Sequence, residues 1–162
     1  MRVKLIETEW YQDYKLPSMF IAFPTCSFKC EKENEACSCH NSSLATAKTI
    51  DISCNEVIRS YINNPITKAI VCGGLEPMDS FEDLVGLISE LRIKYKCNDD
   101  VVIYTGYTYE ECKERRWIKP LEYLGNVVVK FGRFIPNSAS HFDNILGVTL
   151  ASPNQHAFRL NL

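Results

Sequence analysis

One segment connects an apolar run to the start of an amphipathic run: Ala69-Ile-Val-Cys-Gly-Gly-Leu-Glu-Pro-Met-Asp-Ser-Phe81. Residues 69–72 have the length and apolar content of a buried strand, and the glycine pair that follows them predicts a turn. From Ser80 to Leu91 apolar residues recur at helical spacing, which predicts a helix with one buried stripe. The segment therefore predicts a strand, a glycine-rich turn and a helix in succession.

The same unit recurs on either side of this segment. Ser53 and Glu56 have the spacing of a capping box, which predicts that a helix begins at Cys54. Thr108 and Glu111 repeat that spacing before a further helix. The predicted strands lie at about 17–23, 69–72, 100–105 and 126–131, and the predicted helices at about 54–62, 80–91 and 108–116. Two short strands, at 145–150 and 157–160 and joined across residues 152–155, are predicted to complete the chain.

Strands that alternate with helices of this length predict an α/β fold, in which helices pack on a parallel sheet. Ligands of such sheets bind at the carboxyl ends of the strands. The residues expected at that edge are Cys26, Gly73, Gly74, Thr105 and either Lys130 or Gly132. We therefore expect these five residues to lie near one another.

The composition is that of one ordinary globular domain. The chain has 162 residues, of which 46% are hydrophobic and 23% are charged. Its formal charge of -2 argues against a surface that binds nucleic acid. Charged residues interrupt the first ten positions, and no apolar run approaches the ~18 residues of a membrane span. We expect a cytoplasmic protein that binds neither nucleic acid nor a membrane.

Four of the eight cysteines lie in one polar loop, at about 25–43. Cys26, Cys30, Cys37 and Cys39 can converge on one soft metal ion or cluster without movement of the scaffold. Four ligands from this set and His40 would suit structural zinc, whereas three cysteines would suit a four-iron cluster with an open coordination position. The loop predicts a metal site and leaves the choice of metal open. The remaining cysteines are predicted to be core or surface residues rather than metal ligands: Cys54, Cys72, Cys97 and Cys112.

Gly73-Gly-Leu-Glu-Pro77, paired with the Cys26-x3-Cys30 loop, resembles the radical S-adenosylmethionine (SAM) superfamily. The resemblance narrows to the activating proteins of anaerobic ribonucleoside-triphosphate reductase, because six segments occur in the order of that family and together span most of the chain. These segments are Phe23-Pro-Thr-Cys-Ser-Phe-Lys-Cys30, Cys39-His-Asn-Ser42, Gly73-Gly-Leu-Glu-Pro77, Tyr104-Thr-Gly-Tyr107, 127–135 and Ser152-Pro-Asn-Gln155.

The resemblance implies a single radical SAM domain over residues 1–162, folded as a partial, open (β/α) barrel with parallel strands. It implies that the loop at 25–43 holds a [4Fe-4S] cluster through Cys26, Cys30 and Cys39. Cys37 is the alternative to Cys39, because an insertion of charged residues displaces the third cysteine of the family's motif. His40 and Asn41 follow Cys39 as the family pattern expects, which favours Cys39.

The resemblance also implies a set of contacts with the cofactor. Glu76 would orient the methionyl ammonium of SAM, although a carboxylate here also suits the start of a helix. Lys130 stands on a strand where related activases often carry Asp. The implied cofactor-binding residues are Gly73, Gly74, Glu76, Pro77, Thr105, Asn41 and Lys130.

The implied activity is that of a radical SAM oxidoreductase, a glycyl-radical enzyme activase. The cluster would donate one electron to SAM, and the resulting 5'-deoxyadenosyl radical would remove a hydrogen atom from a glycine of the reductase. No general base is implied, since the cofactors carry the difficult chemistry. The implied partners are the large subunit of the reductase and a reductant such as flavodoxin. A chain too short for an eight-unit barrel would leave an open side for a peptide loop of that partner.

Two other classes of function remain. The first is another small radical SAM enzyme, similar to the activase of pyruvate formate-lyase or to 7-carboxy-7-deazaguanine synthases. The second is a zinc-binding module without catalytic activity. Analysis of iron, sulfide and zinc separates the second class from the radical SAM enzymes.

Overall fold

A six-stranded sheet lies at the centre of the computed structural model, which describes residues 1–34 and 41–161. The strands are β1 (Arg2–Val3), β2 (Leu5–Glu9), β3 (Ser18–Phe23), β4 (Ile50–Asp51), β5 (Ala69–Gly74), β6 (Asp100–Tyr104), β7 (Val127–Phe131), β8 (His141–Asp143), β9 (Val148–Leu150) and β10 (His156–Leu160). The helices are α1 (Lys29–Asn34), α2 (Ser42–Thr46), α3 (Cys54–Asn63), α4 (Phe81–Ile93), α5 (Tyr109–Glu114) and α6 (Ile118–Leu124), and a 3-10 helix covers Pro77–Ser80. The α/β class expected from the sequence is confirmed.

The strand order in the large sheet is β10-β7-β6-β5-β3-β2. The four central strands, β3, β5, β6 and β7, run parallel, which confirms the predicted arrangement for the middle of the sheet. The strands at the two edges, β2 and β10, are antiparallel to their neighbours. Because the four parallel strands end on the same side, the loops that follow them meet at one edge.

The end of the chain differs from the simple pair of joined strands that its pattern predicts. β9 pairs with β8, whereas β10 pairs with β7 and places Ala157 opposite Lys130. The Asp143 carboxylate, at the end of β8, accepts a hydrogen bond from the backbone N–H of Ala157 at 3.0 Å. This bond ties the hairpin to the start of β10, while β10 satisfies backbone groups along the edge of β7.

The helices pack on one face of the sheet. Successive side chains of a strand point to opposite faces, so Ile21, Ile70 and Val129 join one cluster with the helices. Burial of each such side chain contributes roughly 2 kcal/mol to folding. The helix residues buried in this cluster are Val57, Ile58, Tyr61, Leu84, Leu87, Ile88, Leu91, Cys112, Ile118 and Leu121.

The opposite face carries a smaller apolar cluster. Val71, Val102 and Val128 pack there with Tyr14 and Leu146, which come from segments outside the parallel strands. These segments cover part of the face. The part near the carboxyl ends of the parallel strands is left as a cavity. The fold thus places a cavity at the edge where ligands of parallel sheets bind.

Both predicted capping boxes are present, because each pair satisfies backbone donors at a helix start. The Ser53 hydroxyl accepts from the Glu56 N–H at 3.2 Å, and Thr108 accepts from Glu111 at 3.2 Å. In each pair the glutamate accepts from the backbone N–H of the capping residue. In residues 1–34 and 41–161, no helix has both the length and the apolar character needed to cross a membrane.

Candidate functional site

A cavity of about 540 Å³ lies where the parallel strands end. It brings together eight of the residues that the sequence singles out: Cys26, Cys30, Asn41, Gly73, Gly74, Glu76, Thr105 and Lys130. Pro77 lies outside this lining, buried as the first residue of the 3-10 helix. Cys39 and its alternative Cys37 both fall outside the described residues, so the structure leaves the choice between them untested.

Two thiols reach the cavity from the loop that follows β3. Cys26 lies just beyond the strand, and Cys30 lies in the first turn of α1. The backbone N–H of Phe28 donates a hydrogen bond to the Cys26 sulfur at 3.2 Å. Burial raises the pKa of Cys26 to about 12, and the charge of Glu76 adds to this effect, although the Phe28 hydrogen bond opposes it. A cation beside Cys26, as in a metal site, would favour its thiolate form.

The chemistry of this pair fits a soft metal cluster. Both thiols are half-buried, and an N–H donor to sulfur, as at Cys26, is the kind of contact that tunes cluster ligands. In the part of the chain that the structure describes, no three His, Cys, Asp or Glu side chains converge as a metal site. Cys26 and Cys30 are two of the three predicted ligands, and the predicted third ligand belongs to residues 35–40.

Asp79 fastens the cysteine loop to the neighbouring strand ends. One carboxylate oxygen accepts the backbone N–H of Ser27 at 2.7 Å, and the other accepts the Tyr107 hydroxyl at 2.6 Å. Asp79 lies in the 3-10 helix after β5, and Tyr107 follows β6. The sequence pattern does not single out Asp79, because an acidic residue in a first helical turn is common. Its role depends on three loops that only the sheet brings together.

The glycine pair at the end of β5 allows two close approaches. Gly74 has a φ of 85°, and a Cβ added there would lie 2.7 Å from the backbone of Ala22 in β3. A Cβ on Gly73 would lie 2.9 Å from the Phe20 ring. The carbonyl of Gly74 accepts a hydrogen bond from the Asn41 side-chain amide at 2.7 Å. The pair therefore sets the distance between β5, β3 and the far end of the cysteine loop.

The Glu76 carboxylate is held by donors from two strand ends. The backbone N–H of Gly106 donates to one oxygen at 2.8 Å, and that of Met78 donates to the other at 3.1 Å. Burial raises the pKa of Glu76 to about 7, although these amides and the Thr105 hydroxyl lower it. Glu76 thus caps the 3-10 helix, the helix-start role that the sequence left open, and also lines the cavity.

Lys130 forms part of the cavity wall on β7. Its side chain is buried, and its ammonium donates to the carbonyl of Gly132 at 2.9 Å and to that of Thr105 at 3.4 Å. Burial lowers the pKa of Lys130 to about 8, against the influence of the Glu76 and Asp13 carboxylates. Of the charged residues that line the cavity, Lys130 and Glu76 are buried, whereas Glu7, Asp13, Lys29 and Arg133 are more exposed.

The fold and the cavity define an α/β protein with paired cysteines at the carboxyl edge of a parallel sheet. A family model described as a 4Fe-4S single cluster domain matches residues 18–152. The match covers most of the chain, so the protein belongs to this 4Fe-4S single cluster domain family. The same family model is found in radical SAM-related proteins. The chain has no match among curated proteins or among solved structures.

The family membership bears on the choice of metal that the cysteine loop leaves open. It indicates a domain that binds a 4Fe-4S cluster, and so supports the cluster rather than zinc. The matched residues include the whole cysteine loop and every strand that contributes to the cavity wall from β3 to β9.

Proposed function

We propose that the protein is a radical SAM oxidoreductase that installs a glycyl radical on anaerobic ribonucleoside-triphosphate reductase. One observation carries the proposal: Cys26 and Cys30 share a cavity with Gly74 and Glu76. The cysteines that suit an iron-sulfur cluster and the glycine turn that suits a small ligand therefore line the same cavity. The 4Fe-4S family and the ordered segments that resemble the activating proteins support the same function.

The chain's own residues would hold two groups in this cavity. When bound, a reduced [4Fe-4S] cluster supplies one electron to the sulfonium of SAM, and cleavage of a C–S bond then supplies the radical that removes a glycine hydrogen atom. Cys26 and Cys30, together with Cys39 or Cys37, would provide the thiolate ligands. Asn41 would hold the far end of the loop against β5 through its bond to Gly74.

The strand ends would bind and orient SAM. The glycine pair leaves the edge of β5 free of side chains, so a ligand can approach the backbone closely. Glu76 brings a carboxyl group near the methionyl ammonium, while Thr105 braces that carboxyl group from the next strand. Asp79 ties the cysteine loop to Tyr107 and so would hold the loop in place beside these groups.

The open architecture supports a macromolecular substrate. Four parallel strands with their helices on one face are consistent with a partial barrel, and an incomplete barrel leaves a side through which a peptide loop can enter. We propose that this loop belongs to the large subunit of the reductase. A cytoplasmic one-electron donor such as flavodoxin would reduce the cluster.

The proposal is tested by anaerobic reconstitution with iron and sulfide. Dithionite and SAM are then added, with and without the candidate reductase. We expect 5'-deoxyadenosine by chromatography and, with the reductase, a glycyl radical signal by electron paramagnetic resonance. Cys26→Ala should abolish both products, and Cys54→Ala, which alters a half-buried thiol on α3, serves as the matched control.

Other results would change the assignment. A colourless protein with one zinc and no sulfide would contradict the radical reaction altogether. Formation of 5'-deoxyadenosine without a glycyl radical on any reductase would keep the radical SAM class and reject the partner. The resemblance to pyruvate formate-lyase activase and to 7-carboxy-7-deazaguanine synthases then supplies the next substrates to test.

A further inference from the structure

Four exposed basic side chains lie together at the turn between α5 and α6. They are Lys113, Arg115, Arg116 and Lys119, and Glu114 is the single acidic residue among them. In residues 1–34 and 41–161, none of the four forms an ion pair. The chain as a whole has a formal charge of -2, so this turn departs from the overall balance of charge. We call these four residues the basic patch.

Trp117 lies against the basic patch and is fixed by other rings. The guanidinium carbon of Arg115 lies 5.1 Å from the centre of the Trp117 ring and 5.3 Å from that of the Tyr107 ring. Phe81 stacks on Trp117 with ring centres 5.4 Å apart, and Tyr107 meets it edge-on at 5.3 Å. Arginine and tryptophan are enriched at protein interfaces. Because these side chains are held in place, a partner that docks on them orders few further groups.

Tyr107 connects this surface to the cysteine loop. Its side chain is buried, and its hydroxyl donates to Asp79 at 2.6 Å and lies 3.5 Å from the Ser27 hydroxyl. Ser27 directly follows Cys26, which is a predicted cluster ligand. Contacts therefore run from Trp117 through Tyr107 to the residue beside that ligand.

The basic patch lies outside the cavity. Residues 113–119 do not line it, whereas Tyr107 does. A substrate peptide must enter the cavity to reach a radical formed there, but an electron donor only has to come close to the cluster. A protein on the basic patch would leave the cavity lining free for other ligands. The position therefore suits an electron donor better than a substrate.

The charge of the basic patch indicates the chemistry of its partner. Complementary charge speeds the association of two proteins, so four cations favour an acidic surface. The nearby carboxylate of Glu111 does not neutralise them, because it pairs with Lys29 at 3.3 Å and with Arg133 at 2.7 Å. Nucleic acid would also be attracted, but it gives no reason for the contacts between Trp117 and the cysteine loop.

We propose that the basic patch and Trp117 form the docking surface for an acidic one-electron carrier protein of the flavodoxin type. The inference rests on the proposed function, in which such a donor reduces the cluster. In that step the anionic flavin hydroquinone of the donor loses one electron and becomes the neutral semiquinone. The cluster gains that electron, and no proton is transferred.

The first test is equilibrium binding of oxidised flavodoxin to the reconstituted protein. Two double variants are compared with wild type: Lys113→Glu with Lys119→Glu in the basic patch, and Arg59→Glu with Lys68→Glu on other exposed surface. Both variants change the net charge by the same amount. The patch variant should bind flavodoxin about tenfold more weakly at low salt, and the control should match wild type. The difference should vanish at about 1 M salt, where the Debye length is about 3 Å.

The second test is the rate of cluster reduction, measured from the change in absorbance. With limiting flavodoxin hydroquinone, the patch variant should be reduced about tenfold more slowly than wild type. With dithionite, a small reagent that needs no docking surface, the two rates should be equal. A defect in folding or in the cluster would change both rates. Lys113→Arg with Lys119→Arg keeps the charge and should restore the binding and reduction seen with wild type.

Each other outcome decides against the inference or against the proposed function. Equal flavodoxin affinity in wild type and the patch variant, an equal loss in both double variants, or no binding to wild type overturns the docking surface and leaves the proposed function intact. Loss of affinity for a DNA oligonucleotide, with flavodoxin binding retained, would make the basic patch a nucleic-acid site and also overturn it. A wild-type protein without a cluster that dithionite reduces would contradict the proposed function itself.

Discussion

The side-chain amide of Asn41 donates a 2.7 Å hydrogen bond to the backbone carbonyl of Gly74. Asn41 lies in the cysteine loop, two residues after Cys39, and Gly74 is the last residue of β5. At the other end of that loop, the Ser27 N–H is bound to Asp79, which also follows β5. The loop is therefore tied twice to the same strand end: Cys26 directly precedes the first tie, and Cys30 lies between the two.

Asn41→Ala should weaken retention of the cluster without unfolding the protein. Loss of the bond to Gly74 frees the far end of the loop, and contacts of this kind typically change metal affinity by tenfold or more. We expect the variant to release iron to a chelator about tenfold faster than wild type does. The release rate is measured from the change in absorbance. Asn64→Ala is the control, because it also removes a side-chain amide bond, at 3.0 Å to Thr8, but far from the loop. Equal release rates in the two variants would contradict the role given to Asn41.

Substitution of single cysteines should divide them into ligands and packing residues. Cys26→Ala and Cys30→Ala should lose nearly all bound iron and sulfide, because a cluster requires its thiolate ligands. Cys97→Ala, which changes a half-buried thiol, should retain both. Iron and sulfide analysis after anaerobic reconstitution is the measurement. Full iron content in Cys30→Ala would remove that residue from the ligand set.

The same analysis decides the third ligand. If Cys39 is the ligand, Cys39→Ala loses the cluster and Cys37→Ala keeps it. We expect this result, because His40 and Asn41 follow Cys39 in the order that the family motif has. The reverse pattern would assign the site to Cys37.

Gly74→Ala should destabilise the protein by about 2–4 kcal/mol. The substitution forces a side chain into a backbone conformation with φ of 85° and against the backbone of Ala22, 2.7 Å away. Gly86→Ala is the matched control, since an added Cβ there meets nothing within 4 Å. That change lies inside α4 and should stabilise by roughly 1 kcal/mol, because alanine favours helix over glycine. Denaturant unfolding measures both, and a neutral Gly74→Ala would refute the close approach of β5 and β3.

Glu76 should make the protein less stable as the pH rises from 4.5 to 7. The pKa of Glu76 is about 7 in the folded protein and near its ordinary value of 4.5 when unfolded, so only the folded state holds the proton in this window. Raising the pH across it therefore costs stability, by about 3 kcal/mol for a shift of this size. Below pH 4.5 both states are protonated, and the effect vanishes.

The measurement is the free energy of unfolding against pH for wild type, Glu76→Gln and Glu82→Gln. Burial also raises the pKa of Glu9, to about 8, which adds a slope of the same sign that all three proteins share. Glu76→Gln should show a shallower decline than wild type, whereas Glu82, exposed on α4, should make no difference. If the free energy of unfolding varied with pH in the same way for wild type and Glu76→Gln, the raised pKa of the buried Glu76 carboxyl would be contradicted.

Local sequence patterns were sufficient to predict those helices and strands whose boundaries are set by residues within the element itself. Ser53 with Glu56 and Thr108 with Glu111 cap helices where expected, because a capping box is satisfied within four residues. β3, β5, β6 and β7 were predictable for a similar reason, since strands buried on both faces are apolar throughout. β2 was not predictable, because its residues neither alternate in polarity nor form an apolar run, and its position is set by pairing with β3.

The sequence by itself determined the chemistry of the candidate site: a cysteine-rich loop after one strand and a glycine pair after the next. Each of these patterns is local in the chain, and the carboxyl ends of parallel strands lie at one edge of the sheet. Only the tertiary structure decided the partners of each group. Asp79 joins Ser27 to Tyr107, Glu76 accepts amides from two loops, and Lys130 donates from the cavity wall to the carbonyl of Gly132. These relationships depend on burial and on contacts between residues tens of positions apart, which no local pattern encodes.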